Sequence, residues 1–200
     1  MKVNWRICKT NIRAGGKTHP IPHSGINNPA RMCRSVWAGR NHQPTMPQLI
    51  KGGKYVFGWT IVHSDGAILI PPEAMEEYSF KSNDKLIVMS GSKTSRGFAI
   101  TTINKILNTP ILIRIKQFPM LYSFKKLKNG YIEDSQKIYT WSMLDSAGYF
   151  TIHPDILLKY YIEPGNKLLV GKGSGLALAF IKHGTIVWEA CRHPELQTFK

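Results

Sequence analysis

The sequence is poor in the features that mark several protein classes. Its three cysteines, Cys8, Cys33 and Cys191, show no paired spacing, so we expect no disulfide framework. No apolar run reaches the ~18 residues that a membrane-spanning helix needs. The N-terminus also lacks the apolar segment of a signal peptide. We therefore expect a cytoplasmic protein that does not interact with a membrane.

Acidic residues are scarce as well, and the excess of positive charge is segregated along the chain. Twelve Asp and Glu oppose 27 Lys and Arg, which gives a net charge of +15. Residues 1–52 contain nine basic residues and no acidic one, and residues 101–137 carry a net charge of +5. The remaining stretches are almost neutral. A strongly basic segment attached to a neutral scaffold is typical of proteins that bind nucleic acid.

The chain contains one stretch twice. Residues 59–92 recur as residues 141–174 at a constant offset of 82, with 11 identities in 34 positions. The identical positions include Trp59 and Trp141, Gly66 and Gly148, and Tyr78 and Tyr160. Two copies are too few for a solenoid. They predict one domain with internal pseudo-two-fold symmetry, equivalent to a homodimer fused into one chain.

Each copy has the same predicted order of elements. Two strands joined by a Gly-containing turn are followed by a short helix, which begins at Pro72 in the first copy and at Pro154 in the second. A second turn then leads into two further strands. The glycine-rich residues 171–175 lie between two strands, so we expect a β-turn there and not a phosphate-binding loop.

This pattern resembles the AbrB/MazE/SpoVT family. The resemblance is carried by residues 66–71 and 83–88 in the first copy, and by residues 148–154 and 164–170 in the second. It implies a mainly β fold with small helices, in which two ββαββ repeats interlock as a swapped-hairpin β-barrel. Here one chain would supply both halves, so we expect a monomer with an internal pseudo-dimer. The resemblance also implies a bacterial or archaeal DNA-binding protein that regulates transcription.

The sequence departs from that family at the positions that read DNA. The family's DNA binders place Arg after the turn glycine, where this chain has Ala67 and Tyr149. They also place Arg in the middle of the helix, where this chain has Met75 and Glu76 in one copy and Leu157 and Leu158 in the other. We therefore expect any DNA contacts to lie outside the two repeats.

The predicted organisation has four parts. Residues 1–52 form a basic, irregular N-terminal arm, and residues 53–102 form the first repeat. Residues 103–137 form a basic linker, and residues 138–200 form the second repeat with a C-terminal tail. The arm either grips phosphates or packs Trp5 and Trp37 on the barrel. Its candidate nucleic-acid contacts are Arg6, Lys9, Arg13, Lys17, Arg31, Arg34 and Arg40.

The linker contributes further candidates. In the second part of residues 109–116, apolar and basic side chains alternate. This alternation predicts a strand with Arg114 and Lys116 on one face. Asn129-Gly130 predicts a hairpin turn. Its basic tip, formed by Lys125, Lys126 and Lys128, either contacts phosphates or protects a barrel edge from strand pairing.

Metal and catalytic signals are weak. Cys8, His19, His23 and Cys33 lie in the arm, and the spacing of His19 and His23 is one that zinc ligands can have. No Cys-x-x-Cys accompanies them, so we interpret these residues as ordinary surface histidines and buried thiols, and zinc binding by the arm stays open at this point. We expect no cofactor and no metal. Because no acid–base or nucleophile constellation stands out, we predict that the protein is not an enzyme.

Two functions from different classes fit these observations best, and an unrecognised enzyme is the third hypothesis, which a pocket with strongly perturbed titratable groups would support. The first is a DNA-binding transcription regulator of the AbrB/SpoVT type that uses the arm and the linker. The alternative is an antitoxin-like protein-interaction module that does not contact DNA directly. Whether the nucleic acid is DNA or RNA stays open at this point.

Overall fold

The computed structural model of the protein describes residues 55–200, and this part is mainly β with short helices. The strands are β1 Val56–Ile61, β2 Ala67–Leu69, β3 Lys85–Ser90, β4 Gly97–Thr101, β5 Ile132–Asp134, β6 Lys137–Met143, β7 Tyr149–Thr151, β8 Lys167–Ser174, β9 Ala177–Ile181 and β10 Thr198–Phe199. The helices are α1 Pro72–Glu77, α2 Pro110–Lys116, α3 Pro119–Tyr122, α4 Pro154–Lys159 and α5 Thr185–Ala190, with a 3-10 helix at Ile103–Ile106. No helix in this range has the length and apolar character required to span a membrane.

The strands form an eight-stranded sheet and a separate two-stranded ribbon. The order in the sheet is β10-β1-β8-β9-β4-β3-β6-β5, and β2 pairs with β7. Within residues 55–200 the edge strands β10 and β5 pair with no further strand, so the sheet is open. The predicted mainly β class with small helices is thus confirmed, whereas strand pairing does not close the sheet into a barrel.

Strands from the two halves of the chain pair with each other at equivalent registers. Trp59 of β1 lies opposite Leu169 of β8, and Trp141 of β6 lies opposite Ile87 of β3. Both pairings are related by the offset of 82 residues. At the centre of the sheet, β4 and β9 place Ala99 opposite Ala179. The local registers of the two pairings are therefore equivalent.

Two buried hydroxyl groups connect the sheet to the two-stranded ribbon. Thr60 donates a hydrogen bond to the Leu69 carbonyl at 2.9 Å, and Ser142 donates one to the Thr151 carbonyl at 2.8 Å. A buried polar atom without a partner costs about 1–3 kcal/mol, so these bonds fix how the ribbon sits on the sheet. Thr60 and Ser142 occupy equivalent positions in the two halves.

Both faces of the sheet are covered, and the strand sequences show why. Side chains alternate between faces along a strand, so Leu86 and Val88 enter the central core while Ile87 points to the opposite face. In the first half that outer face packs against the 3-10 helix, α2 and α3. In the second half, α5 and the C-terminal segment cover the equivalent face over Trp59 and Leu169.

The predicted strand at residues 109–116 is wrong, because this segment forms helix α2. Pro110 occupies the first helical turn, where its missing N–H costs nothing. Leu112 and Ile115, three residues apart, are the positions that the helix buries. A helix at this place covers the sheet face around Ile87, and that packing outweighs the intrinsic strand preference of a β-branched run.

The linker hairpin lies at a different place from the one predicted. Asn129-Gly130 does form a turn, in which the Gly130 N–H donates to the Leu127 carbonyl at 3.1 Å, but α3 precedes it instead of a strand. The hairpin is β5–β6, and its turn residues Ser135 and Gln136 have φ values of 48° and 69°. Two residues with positive φ match the twist of a two-residue hairpin. The sequence contains no glycine here to signal it.

Candidate nucleic-acid interface

The arm candidates and the linker candidates differ in what the structure says of them. Arg6, Lys9, Arg13, Lys17, Arg31, Arg34 and Arg40 lie outside the described residues, as do Cys8, His19, His23 and Cys33. The five linker candidates, Arg114, Lys116, Lys125, Lys126 and Lys128, lie within them. These five do not form one uniform surface.

Arg114 is already paired. Its guanidinium lies 2.6 Å from the Asp134 carboxylate and donates a hydrogen bond to the Ser135 hydroxyl at 3.1 Å. These contacts join α2 to the β5–β6 hairpin. The Asp134 carboxylate neutralises much of the charge that a phosphate would use, so Arg114 is better placed to hold the hairpin than to bind nucleic acid.

Lys116 is exposed at the end of α2, and its ammonium lies 5.9 Å from the centre of the Tyr122 ring. A contact at this distance is a weak cation–π interaction that leaves the ammonium in water. Lys116 forms no ion pair within residues 55–200, and the exposed Tyr122 ring lies beside it.

Lys125, Lys126 and Lys128 are exposed on the loop that joins α3 to β5. Three contacts fix this loop. The Lys125 N–H donates to the Met120 carbonyl at 2.8 Å, the Lys125 carbonyl accepts from the Trp141 indole at 3.0 Å, and the Leu127 side chain is buried. Anchoring the backbone while the ammonium groups stay in solvent concentrates positive charge at one place on the surface.

A fourth cation, Lys85, joins this loop and was missed by the sequence analysis. Its ammonium lies 5.3 Å from the centre of the Phe124 ring, which in turn packs edge-on against Trp141 at 5.8 Å. We call Lys85, Lys125, Lys126 and Lys128 the lysine cluster. Only the pairing of β3 with β6 brings Lys85 to the linker, so no local sequence signal predicts its place here.

The lysine cluster carries uncompensated charge. None of its four members forms an ion pair with an acidic side chain of residues 55–200. The adjacent carboxylate of Asp84 accepts a hydrogen bond from the Lys81 N–H at 2.8 Å instead. Four exposed ammonium groups, one of them beside the Phe124 ring and three on the loop that follows Phe124, form a surface that attracts polyanions.

Two buried tyrosines have perturbed acidities. Burial raises the pKa of Tyr78 to about 12, and the nearby Glu77 carboxylate adds to the rise. Burial also raises the pKa of Tyr160. Within residues 55–200 no group of three or more His, Cys, Asp or Glu side chains is placed to hold a metal ion.

The comparisons with known proteins give no family. No protein-family model matches the chain, and no curated protein and no solved structure shows significant similarity to it.

Proposed function

We propose that the protein binds duplex DNA and regulates transcription, with the lysine cluster and the basic N-terminal segment as its phosphate contacts. The observation that carries this proposal is the cluster itself, four exposed lysines without acidic partners in the described chain. The charge of residues 1–54 supports it, because ten basic residues stand there without an acidic one. Both surfaces would attract the same polyanion.

The chemistry of lysine sets the mode of binding. An ammonium is a hydrated point charge that contacts phosphate without the planar fork by which arginine reads guanine. Binding through the lysine cluster would therefore release counterions and weaken steeply with salt, while discriminating little between sequences. Helix α1 would face away from the phosphates, because its carboxylates would repel them. These carboxylates belong to Glu73, Glu76 and Glu77.

The fold that we propose for this function is the swapped-hairpin arrangement of the AbrB/MazE/SpoVT family, formed by a duplicated unit within one cytoplasmic monomer. The exchange of strands between the halves supports it, since β1 pairs with β8 and β6 pairs with β3. The ribbon of β2 and β7 also takes one strand from each half, with Ile68 opposite Phe150.

A salt titration of duplex binding tests the proposed function. The full chain is compared with a variant in which Lys125, Lys126 and Lys128 are changed to Gln. A control variant carries the same change at Lys167, Lys182 and Lys200, which removes the same charge elsewhere. We expect the slope of log K against log salt to fall by about 2–3 in the first variant and much less in the control. If the full chain fails to bind duplex DNA at ~50 mM salt, the proposal is wrong.

One observation favours the alternative, a protein-interaction module of the antitoxin type. Trp188 on α5 is 76% exposed, and tryptophan is a frequent anchor of protein interfaces. A partner held through Trp188 would stay bound at high salt and would be lost on Trp188→Ala. DNA binding through the lysine cluster would instead be lost at high salt and kept on Trp188→Ala.

A further inference from the structure

A cavity of about 420 Å³ lies outside the proposed DNA interface. Three parts of the chain enclose it, namely the loop between β3 and β4, the end of α4, and the β5–β6 hairpin. Its charged lining groups are Lys93, Arg96, Lys159 and Glu133. The volume lies in the lower part of the ~300–1,000 Å³ range of small-molecule sites.

The cavity arises where the two halves of the chain differ in length. Ser92 corresponds to Ser174, and Gly97 corresponds to Ala177 in the central pairing of β4 with β9. Between these positions the first half has four residues, Lys93-Thr94-Ser95-Arg96, whereas the second half has only Gly175-Leu176. The longer loop contributes two cations that the short hairpin turn of the second half lacks.

The longer loop also leaves a buried hydroxyl without a partner. In the second half the hairpin turn supplies carbonyl groups to Tyr78. The Tyr78 hydroxyl donates to the Ser174 carbonyl at 2.8 Å and lies 3.0 Å from the Ala177 carbonyl. The equivalent Tyr160 lines the cavity and is 1% exposed, yet its hydroxyl makes no hydrogen bond within residues 55–200. This hydroxyl is itself buried from solvent, and its missing partner marks where the longer loop departs from the short hairpin turn.

The loop is ordered by its own contacts. The Ser92 hydroxyl lies 2.6 Å from the Ser95 hydroxyl and accepts a hydrogen bond from the Ser95 N–H at 3.1 Å. The Gly91 N–H donates to the Gly97 carbonyl at 2.9 Å across the base of the loop, and the Gly97 N–H donates to the Tyr160 carbonyl at 3.3 Å. The loop that carries Lys93 and Arg96 is therefore held against the end of α4.

The charges around the cavity favour an anion. Lys93, Arg96 and Lys159 form no ion pair within residues 55–200. The Arg96 guanidinium lies 4.8 Å from the centre of the Tyr161 ring, and Lys93 donates a hydrogen bond to Gln136, so both side chains are positioned. Three cations against the single carboxylate of Glu133 leave a net charge that matches a dianionic phosphate.

We propose that this cavity binds a small phosphate monoester whose organic part carries hydroxyl or amino groups. Lys93, Arg96 and Lys159 would contact the phosphate, and Glu133 would accept a hydrogen bond from the organic part. Arginine and lysine are the usual partners of phosphate. The inference does not depend on DNA binding by the lysine cluster.

Isothermal titration of the full chain in a phosphate-free buffer tests the site, with glycerol 3-phosphate as the probe. We expect glycerol 3-phosphate to bind more tightly than inorganic phosphate, because Glu133 gains a partner, and glycerol not to bind. An absence of heat with glycerol 3-phosphate at ~10 mM would place the affinity beyond the millimolar range and overturn the proposal.

Two lysine variants give a matched comparison. Lys159→Gln removes one of the three cations that line the cavity, and we expect it to weaken glycerol 3-phosphate about tenfold, the usual loss for a hydrogen bond to a charged group. Lys167→Gln removes the same charge outside the cavity, and we expect the affinity to be unchanged. Equal affinities in both variants and in the native chain would contradict the role of Lys159.

A second pair of measurements separates this site from the DNA interface. The double variant Lys93→Gln and Arg96→Gln is expected to lose glycerol 3-phosphate at least tenfold and to keep its duplex affinity within a few-fold. The variant with Gln at Lys125, Lys126 and Lys128 should lose duplex affinity and keep its affinity for glycerol 3-phosphate. If the double variant instead loses duplex binding while the native chain ignores glycerol 3-phosphate, the cavity contacts a nucleic-acid backbone and the proposal fails.

Discussion

The Trp141 indole donates a hydrogen bond to the Lys125 carbonyl at 3.0 Å, and this contact ties the lysine loop to strand β6. It joins a residue of the second half to the segment that connects the halves. Its equivalent in the first half, Trp59, instead lies under the C-terminal segment, with the Gln197 carbonyl accepting a bond from its backbone N–H at 2.8 Å. The two equivalent tryptophans thus bind two different segments to the sheet, the lysine loop at Trp141 and the C-terminal segment at Trp59.

Trp141→Phe is expected to loosen the lysine loop without breaking the core. The ring would still pack against Phe124, but the Lys125 carbonyl would lose its donor, at a cost of about 1 kcal/mol. Hydrogen exchange of residues 124–128 should speed up, and duplex affinity should fall several-fold. Trp59→Phe is the control, because it leaves this loop untouched. Unchanged exchange in the Trp141 variant would show that the indole does not order the loop.

Loss of the hydroxyl group is expected to change the free energy of unfolding differently at the two equivalent tyrosines. Tyr78→Phe should lower the free energy of unfolding by about 1–2 kcal/mol, since the Ser174 and Ala177 carbonyls lose their donor. Tyr160→Phe should leave the free energy of unfolding unchanged or slightly raised, because it removes a buried group without a partner. Urea denaturation of both variants measures the difference, and equal losses would contradict it.

Stability is expected to fall in strongly alkaline solution. Burial raises the pKa of Tyr78 from 10.0 to about 12, so the folded state holds this proton more tightly than the unfolded state. The resulting stability is complete below pH 10 and is lost as the pH rises through about 12. The raised pKa of Tyr160 acts in the same direction. Urea midpoints should therefore decline across this range, and the decline should be shallower in a variant with Phe at both positions.

Gly97 is expected to tolerate no side chain. Its φ is +87°, and a Cβ built there would lie 2.1 Å from the Phe180 carbonyl oxygen. Gly165 has a similar φ of +83° but open space around its Cβ position. Gly165→Ala should cost only the conformational strain of about 1–2 kcal/mol, whereas Gly97→Ala should cost clearly more. Thermal unfolding of the two variants compares them, and a similar loss in both would contradict the clash.

The repeats were predictable from sequence because local signals agree there with the tertiary fold. Pro72 and Pro154 begin helices α1 and α4 where the sequence places them. Gly66 and Gly148 have positive φ values of 83° and 89° in their predicted turns. Each of these features depends on residues within a few positions of one another, so a sequence pattern is sufficient to find it.

The linker and the tail were not predictable in the same way. The alternating residues of α2 resemble a strand, and only the sheet face around Ile87 decides in favour of a helix. Lys85 reaches the lysine cluster because β3 pairs with β6, where Lys85 lies opposite Met143, 58 residues further along the chain. Spacing along the chain therefore gives no hint of it. The orphaned hydroxyl of Tyr160 likewise appears only when its surroundings are compared with those of Tyr78.

The unequal loops between β3 and β4 and between β8 and β9 could not exist in a symmetric homodimer, where one gene sequence must serve both halves. In the duplicated arrangement that we propose, each half of the chain can diverge alone. The described part of the molecule is consequently asymmetric, with one lysine cluster and one cavity lined by Lys93, Arg96 and Lys159 instead of a pair of each. Symmetric dimers select palindromic operators because protein symmetry is mirrored in the DNA site. If the chain binds DNA as proposed, it should therefore prefer a site without a palindrome, occupied by one molecule in one orientation.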